Sequence, residues 1–437
     1  MKPMIAVLGA SGLIGQAVAE DLLAHGFGLV AIARRFTAAQ RALLGANVVE
    51  RPFVAMEVEA LAHLLQDADI VLNCVGVLQD GPRGRTQDAH VGFAARLAAA
   101  IAAQPRPTLL LQVSIPGDAA SDETPFSRSK RSAEAAIRSS GVPHAILRPG
   151  FVVAPAAFGG GSMMRALAAL SFDLPGDVRA RPFTPVAVGD IAATVRAAAE
   201  LWPQRWPAEP PTWDLMARET ASLGAVLAGF RARFGGPRPV ATLPGWALGL
   251  AARLGDAVAW LGWSPPARST ALAELRRGVC GDPTAWIRAT GLEPATLEQA
   301  LAALAPTVQE RWFGRLYFAK PMVVAALSLF WLTSGCVALG PGFVGATAAL
   351  AASGTPAWLA GPLTLATALA DVAIGLGIAF RRTCRPALLA GIGLSLAYIA
   401  AASVLAPALW LDPLGPLVKV GPAIVLMLVA LAILPER

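Results

Sequence analysis

The most constraining feature of this chain is a long C-terminal stretch without charge. Residues 321–370 contain no charged side chain and no histidine. A helix needs about 20 apolar residues to cross the hydrocarbon core of a bilayer, so this stretch predicts two membrane spans. Residues 386–411 predict a third span, and residues 414–434, interrupted only by Lys419, predict a fourth. We therefore expect an all-α four-helix transmembrane domain at the C-terminus, with the lipid bilayer as its partner.

The distribution of charge separates this part from the rest of the chain. Charged residues make up 15% of the sequence, and few of them follow residue 318. We expect three parts: a first domain over 1–215, a helical cap or linker over 216–310, and the membrane domain over 311–437. The net charge of +7 is modest and no basic run is interleaved with aromatics, so no nucleic-acid partner is expected. The four cysteines are dispersed without a CxxC pair, so no metal site is expected.

Basic residues predict the orientation of the spans. They precede the first span and lie between the second and third, at Arg311, Arg315, Lys320, Arg381, Arg382 and Arg385. The loops after the first and third spans contain no Lys or Arg. By the positive-inside rule, we expect a multi-pass protein of the cytoplasmic (inner) membrane, with the N-terminal domain and the C-terminus in the cytoplasm.

The N-terminal half alternates short apolar runs with Ala-rich helical stretches. Residues 4–8, 29–33, 68–73, 108–113 and 145–147 read as buried strands, with helical patterns between them. Strands that alternate with helices indicate a parallel sheet covered on both faces. The expected fold class is α/β, a doubly wound Rossmann domain followed by the helical cap and the membrane helices.

A glycine motif follows the first strand and opens the first helix. It reads Gly9-Ala-Ser-Gly12-Leu-Ile-Gly15. In such a motif the first glycine permits a tight turn, the second admits a pyrophosphate to the backbone, and the third allows the helix to pack closely on the strand. The helix N-terminus offers N–H donors to the phosphates. A nicotinamide dinucleotide is therefore the expected ligand.

The end of the second strand indicates which dinucleotide. An NAD site usually places Asp or Glu there, whereas this chain has Arg34 and Arg35. A guanidinium suits a 2′-phosphate, so NADP(H) is expected in preference to NAD(H). The alternative is a pair of solvated surface arginines.

Several motifs in order give a more specific resemblance. They are the glycine motif, the segment Asp69–Gly76, the strand end at Ser114, the run Thr124-Pro-Phe126-Ser-Arg-Ser-Lys130, and Leu147-Arg148-Pro149-Gly150. Together they resemble the short-chain dehydrogenase/reductase superfamily in its extended or atypical branch. Within it the chain is similar to epimerase-like proteins and to the group of the Rossmann accessory subunit of respiratory complex I. The tail, through Trp410–Lys419, resembles the DoxX-like family of four-helix membrane domains.

The resemblance implies a cofactor site and a catalytic pair. It places Gly9, Ser11, Gly12, Leu13, Ile14, Gly15, Arg34, Arg35, Cys74, Val75, Gly76, Ser114 and Lys130 at the dinucleotide. Members of the superfamily use Ser, Tyr and Lys, with Tyr as general acid or base and Lys at the nicotinamide ribose. Ser114 and Lys130 match the serine and the lysine. The tyrosine position is Phe126, and the only tyrosines of the chain are Tyr317 and Tyr398, in the membrane part.

That departure leaves two hypotheses open, and whether the chain is an enzyme stays uncertain. The first is a membrane-anchored oxidoreductase or epimerase relative that acts on a lipophilic substrate such as a quinone or isoprenoid. The second is a non-catalytic NADP(H)-binding sensor or assembly and regulatory protein. Asp371, a carboxyl inside the second predicted span, is a further candidate site because such groups are costly in lipid. Lys419 is a possible partner for it, and His90 is the weakest candidate for a substitute acid.

Overall fold

The computed structural model describes residues 2–80, 85–413 and 415–434. The chain forms two compact units. The first consists of Met1–Asp256 and Pro266–Gly314, and the second of Ala257–Pro265 and Arg315–Arg437. The boundaries expected from the sequence, near residues 215 and 310, stay a prediction.

A seven-stranded parallel sheet is the centre of the first unit. Its strand order is β10-β6-β5-β4-β1-β2-β3, and every neighbouring pair is parallel. This order reverses at β1, which is where doubly wound sheets bind ligands. The predicted parallel Rossmann sheet is therefore confirmed. The strands of the unit are β1 Met4–Leu8, β2 Gly28–Ala33, β3 Val48–Glu50, β4 Ile70–Asn73, β5 Leu109–Val113, β6 His144–Pro149, β7 Phe151–Val153, β8 Phe172–Asp173, β9 Pro185–Ala187, β10 Thr212–Leu215 and β11 Ala241–Thr242.

Helices cover both faces of the sheet, and a separate apolar cluster forms the cap. The two sheet faces are buried in separate cores, and a third core joins Val153, Phe183, Phe230 and Leu301. The helices are α1 Leu13–Ala24, α2 Ala38–Leu44, α3 Val58–Leu64, α4 Phe93–Ala102, α5 Pro125–Ser139, α6 Gly159–Ala168, α7 Gly176–Arg179, α8 Val188–Leu201, α9 Leu223–Phe234, α10 Gly245–Trp260, α11 Ser269–Arg277, α12 Thr284–Thr290, α13 Leu297–Ala302 and α14 Val308–Leu316. A π turn, Asp88–Gly92, precedes α4, and 3₁₀ turns occur at Gly45–Asn47, Phe53–Ala55 and Ala119–Ser121.

The residues around Thr124 explain where α5 begins. Thr124 Oγ1 accepts a hydrogen bond from the Ser127 backbone N–H, and the Thr124 N–H donates to Ser127 Oγ. Pro125 occupies the first helical position, where its missing N–H costs nothing. This capping box fixes the start of the helix that carries Phe126 and Lys130.

The second unit is helical. Its helices are α15 Ala319–Leu339, α16 Phe343–Ala352, α17 Ala357–Ala379, α18 Cys384–Leu405 and α19 Val420–Ile433, with a 3₁₀ turn at Pro407–Trp410. Among the described residues, α15, α17 and α18 are long and apolar enough to cross a membrane. The fourth predicted span is shorter than predicted, since α19 has 14 residues and rises only about 21 Å. Pro413, Gly415 and Pro416 disfavour an earlier helix start.

Small residues let the helices of the second unit approach closely. A Cβ at Gly335 of α15 would lie 2.6 Å from the Ala368 carbonyl oxygen, and one at Gly375 of α17 would lie 2.8 Å from the Leu332 nitrogen. Close approach through glycine is the usual mode of helix association in lipid. Trp331, Ile374, Leu388 and Met427 fill the remaining interior.

Candidate functional site

The glycine loop is shaped by contacts that only glycine allows. Gly9 has φ +83°, and its N–H donates to the Ile32 carbonyl at 2.9 Å. A Cβ at Gly15 would lie 2.4 Å from the Gly9 carbonyl oxygen and 2.9 Å from the Ala10 Cα. A side chain at either position would displace the first turn of α1 from the end of β1.

The N-terminus of α1 presents free backbone donors. Gly12 is the N-cap residue and no side chain caps the helix. The Gln16 N–H donates to the Gly12 carbonyl at 2.9 Å, which leaves the N–H groups of Leu13, Ile14 and Gly15 available to a ligand. A Cβ at Gly12 would lie 3.2 Å from the Gly9 oxygen, so the loop has little room for a side chain. This geometry fits a dinucleotide pyrophosphate.

The carboxylate at the end of β3 is already paired with other groups. Glu50, at the end of β3, accepts the Phe36 N–H at 2.7 Å and forms an ion pair with Arg41 at 3.0 Å. The Phe36 hydrogen bond and Arg41 lower the pKa of Glu50. Arg34 and Arg35 are exposed just after β2 and have no hydrogen bond or ion pair within the described residues. The corner beside the loop therefore offers two guanidinium groups and no free carboxylate.

Lys130 joins the ends of two central strands. Its Nζ donates to the Val75 carbonyl at 3.0 Å and to the Val113 carbonyl at 3.1 Å. Burial lowers its pKa from the usual 10.5 to about 8, although Cys74 and Glu134 act in the opposite direction. Burial also raises the pKa of Cys74 to about 12, so its thiol stays neutral. An ammonium has three N–H donors, and two are used here, which leaves one for a ribose hydroxyl.

Phe126 packs against His90, and this histidine cannot replace the missing tyrosine. The two rings are 5.7 Å apart in an edge-on arrangement. The Val77 N–H donates to His90 Nε2 at 3.0 Å, and His90 Nδ1 lies 2.8 Å from Ser129 Oγ. Burial, and the charge of Lys130, lower the pKa of His90 to about 3. The ring is neutral with both nitrogens engaged, so His90 is a packing residue.

Ser114 faces a buried carboxylate. Its backbone N–H donates to the Leu147 carbonyl at 2.7 Å, while Oγ is buried and has no hydrogen bond of standard geometry within the described residues. The carboxylate is Glu134, which accepts two hydrogen bonds from Arg148, at 2.9 and 2.6 Å. Burial raises the pKa of Glu134, but these bonds and the nearby arginines outweigh it and the pKa is lowered.

Sequence reasoning missed the network around Glu134. Arg131 donates to Glu134 at 3.1 Å, to Asp122 at 2.7 Å and to the Ile115 carbonyl at 3.0 Å. From the cap, Arg277 donates to the Pro116 carbonyl at 3.0 Å. The network holds the loop between β5 and α5. Arg131 and Glu134 share one helix and could have been paired, but nothing in the sequence links Arg277 to a loop 161 residues earlier.

The second unit contains its own polar cluster. Ser334 of α15 donates to Asp371 Oδ2 at 2.8 Å, and Tyr398 of α18 donates to Asp371 Oδ1 at 3.0 Å. Asp371 forms no ion pair with any described residue, so Lys419, named above as a possible partner, does not pair with it in this structure. Three helices meet at this carboxyl through hydroxyl donors.

Comparisons with known proteins match the N-terminal and C-terminal parts of the chain to two different families. Residues 9–165 match a family model described as NAD(P)H-binding, and residues 328–428 match the DoxX-like family. No curated protein matches the chain.

Solved structures give the same fold for the first unit. The chain is similar to UDP-glucuronic acid 4-epimerase from Bacillus cereus, in complex with UDP-glucuronic acid and NAD (15% identity, TM-score 0.53, 72% of this chain and 100% of that chain). It is also similar to a human epimerase family protein with NADPH (19% identity, TM-score 0.52, 70% and 100%). A third is a nucleoside-diphosphate-sugar epimerase from Staphylococcus aureus (14%, 0.53, 68% and 99%). At these identities the likeness concerns the fold alone.

Proposed function

We propose that this chain, which joins an NAD(P)-binding Rossmann domain of epimerase-like fold to a DoxX-like membrane domain, is a membrane-bound NAD(P)H-dependent reductase of a lipophilic quinone. One observation carries the proposal. The dinucleotide loop and Lys130 are in place, while neither Phe126, which has no hydroxyl, nor His90, whose two ring nitrogens are engaged, can donate a proton to a carbonyl.

The missing acid selects the substrate class. Reducing an aldehyde or ketone creates an alkoxide, a strong base that needs a proton donor in the transition state. Reducing a quinone creates a phenolate, and a phenol has a pKa of about 10. When bound, the dihydronicotinamide supplies a hydride. The quinone gains this hydride on oxygen or ring and one proton from water, which together give the hydroquinone. This route needs no tyrosine.

The chain's own residues then act by binding and positioning. The free N–H groups at the start of α1 hold the pyrophosphate. The third N–H of Lys130 holds the nicotinamide ribose. Ser114 Oγ, which is buried beside the Glu134 carboxylate just after β5, would donate to a quinone oxygen. Arg34 and Arg35 support a preference for NADP(H), since a guanidinium pairs well with a 2′-phosphate.

A matched pair of substrates tests the proposal. The full chain, purified in detergent, is assayed for NADPH oxidation with a benzoquinone carrying a decyl tail and with decanal, which has a tail of similar length. We expect turnover of the quinone to exceed that of decanal by at least about 10²-fold, the usual contribution of a general acid. Gly12→Asp should remove both activities. Equal rates, or a preference for decanal, would contradict the proposal.

A second function competes with this one. The same loss of acid groups favours a non-catalytic NADP(H)-binding sensor or assembly protein. In that case NADPH binds tightly, the quinone is not reduced at any pH, and Phe126→Tyr creates no activity. Tight NADPH binding without quinone turnover would therefore transfer support to the sensor hypothesis.

The orientation in the membrane is also a proposal. The basic residues support a cytoplasmic first unit and a location in the cytoplasmic membrane. Reporter fusions after Leu339, Arg382, Leu411 and Arg437 should read outside, inside, outside and inside. An outside signal at Arg437, with the other three as expected, would mean that α19 does not cross and that the chain has three spans.

A further inference from the structure

Helix α10 reverses the usual arrangement of a helix on a soluble domain. Such a helix normally places large apolar residues inward and polar residues outward. In α10 the inward face is Leu248, Ala252, Gly255 and Ala259. The large apolar side chains point outward: Trp246, Leu250, Leu254, Val258 and Trp260. Trp246 is 72% exposed and Trp260 82% exposed.

The outward residues form one continuous stripe. Trp246, Leu250, Leu254 and Val258 are spaced four residues apart, which aligns them along one side of a helix. Trp260, at the last position of the helix, is also exposed but lies on the other flank of the outward side, since it follows Val258 by two residues. Arg253 is exposed on its flank. A contiguous exposed apolar patch marks a binding surface for protein or membrane, and Trp at both ends is typical of a helix at the bilayer interface.

The residues after α10 identify the partner as lipid. The Arg381 N–H donates to the Leu261 carbonyl at 2.9 Å, and Trp263 Nε1 donates to the Ala379 carbonyl at 2.7 Å. Ala379 is the last residue of α17, one of the helices able to cross a membrane. The segment that directly follows α10 is therefore hydrogen-bonded to the end of a helix that is long and apolar enough to cross a membrane.

A second helix has the same design. In α14 the exposed apolar residues are Val308, Trp312 and Leu316, again four residues apart. This helix ends three residues before α15 begins at Ala319. Arg311 and Arg315 lie beside the stripe and carry the charge expected next to anionic headgroups.

We propose that α10 lies along the bilayer surface, with Trp246, Leu250, Leu254, Val258 and Trp260 among the headgroups and the first carbons of the acyl chains. Its length of about 24 Å follows from 16 residues. The chain would then contact the membrane through an interfacial helix in addition to its spanning helices. The inference is independent of the proposed reaction.

Fluorescence quenching by lipid tests the surface directly. In the full chain with Cys280→Ser and Cys336→Ser, one cysteine introduced at a time, Leu250→Cys or Leu254→Cys, carries an environment-sensitive NBD label. The same chain without an introduced cysteine gives the background labelling of Cys74 and Cys384, which is subtracted. Ser139→Cys is the matched control: it is exposed at the end of α5, at the edge of the sheet opposite the carboxyl ends of the strands. The variants are reconstituted in vesicles of phosphatidylcholine and phosphatidylglycerol with or without brominated acyl chains. NADPH binding shows that each is folded.

The expected result is bromolipid quenching at Leu250 and Leu254 at least severalfold greater than at Ser139, with protection from aqueous iodide. Equal iodide quenching at all three positions would overturn the proposal. Protection from both quenchers, with cross-links between copies through Leu250→Cys, would overturn it in favour of a second copy of the chain as partner.

Discussion

The dinucleotide loop, Gly9–Gly15, and the corner formed by Phe126, His90 and Lys130 both lie at the carboxyl ends of the sheet strands, yet they differ in which functional groups they contain. The loop is made of backbone, and Gly9, Gly12 and Gly15 are all present with the geometry that phosphate binding needs. The corner is made of side chains. There Phe126 lacks a hydroxyl, and His90 has both nitrogens engaged.

This difference shows that binding and proton transfer are separable in one fold. The loop depends on steric room, which one added Cβ destroys. The corner depends on single functional groups, which can be lost while the packing stays. Lys130 belongs to both because it bonds the ends of β4 and β5 and also has an N–H for a ligand. Lys130 therefore has a structural role beside the binding role that we propose for it.

The loop side gives the largest expected effect. Gly12→Asp adds a side chain 3.2 Å from the Gly9 oxygen and a negative charge where a pyrophosphate would lie. Loss of two charge-assisted hydrogen bonds costs about 4 kcal/mol, so we expect NADPH affinity to fall about 10³-fold. Isothermal titration calorimetry measures it. The control is Gly189→Asp, in the first turn of α8, where a Cβ meets no atom. Similar losses in both variants would mean that the loop is not the phosphate site.

At the corner, we expect a substitution to increase activity, whereas Gly12→Asp in the loop decreases NADPH affinity. Phe126→Tyr restores a phenol four residues before Lys130, on a partly exposed position that has room for one oxygen. Because a general acid contributes about 10²–10⁴-fold, we expect decanal reduction to rise at least about 10²-fold. NADPH affinity should not change. Phe126→Leu serves as the control and should give no gain. If Phe126→Tyr is as inactive as Phe126→Leu, the corner is not an idle reductase centre.

Arg34 and Arg35 give a third test, which concerns the preference for NADPH over NADH. Replacing Arg34 and Arg35 together by alanine should weaken NADPH binding about tenfold and leave NADH binding nearly unchanged, since only NADPH carries the 2′-phosphate. Titration of both nucleotides against both proteins gives the ratio. Arg51→Ala, exposed after β3, is a control for lost charge. An equal loss for NADH and NADPH would mean that the arginines act through net charge only.

The smallest expected effect concerns pH. Lys130 has a pKa of about 8, so its ammonium is lost as pH rises through 8. A neutral amine is a weaker donor than an ammonium, and we expect NADPH affinity to fall about fivefold between pH 7 and 9. Calorimetry at several pH values follows the change. Lys130→Met removes the titrating group and should flatten the profile; a profile with the same slope in Lys130→Met would assign the titration to another group.

Local patterns predicted most of the nucleotide half. Strand β1 and helix α1 are found where the apolar run and the glycine motif placed them, because both depend on neighbouring residues. Strand β10, Thr212–Leu215, was not predicted, since four residues that include Asp214 show no strand pattern until β6 pairs with them. The helical character of the cap could be predicted from the sequence. Its contact with the loop after β5 could not, because Arg277 meets the Pro116 carbonyl only in the folded chain.

The corner shows the limit of motif reasoning. Phe126 could be read from the sequence, but the neutrality of His90 could not, because it depends on burial and on Val77 and Ser129 at the same time. Likewise, Asp371 could be identified as an intramembrane carboxyl, while its partners Ser334 and Tyr398 come from two other helices. Residue identity is local information, whereas protonation and partnership are properties of the assembled structure.

Asp256 of α10 connects this helix to two other segments of the first unit. On the opposite side of that helix, its carboxylate accepts hydrogen bonds from Gln79, at 3.0 Å, and from Arg268, at 3.1 Å. Gln79 belongs to the segment that continues from Gly76 at the rim of the nucleotide cleft. If α10 lies on the bilayer as proposed, the Gln79 hydrogen bond would connect a lipid-bound helix directly to the segment that follows Gly76.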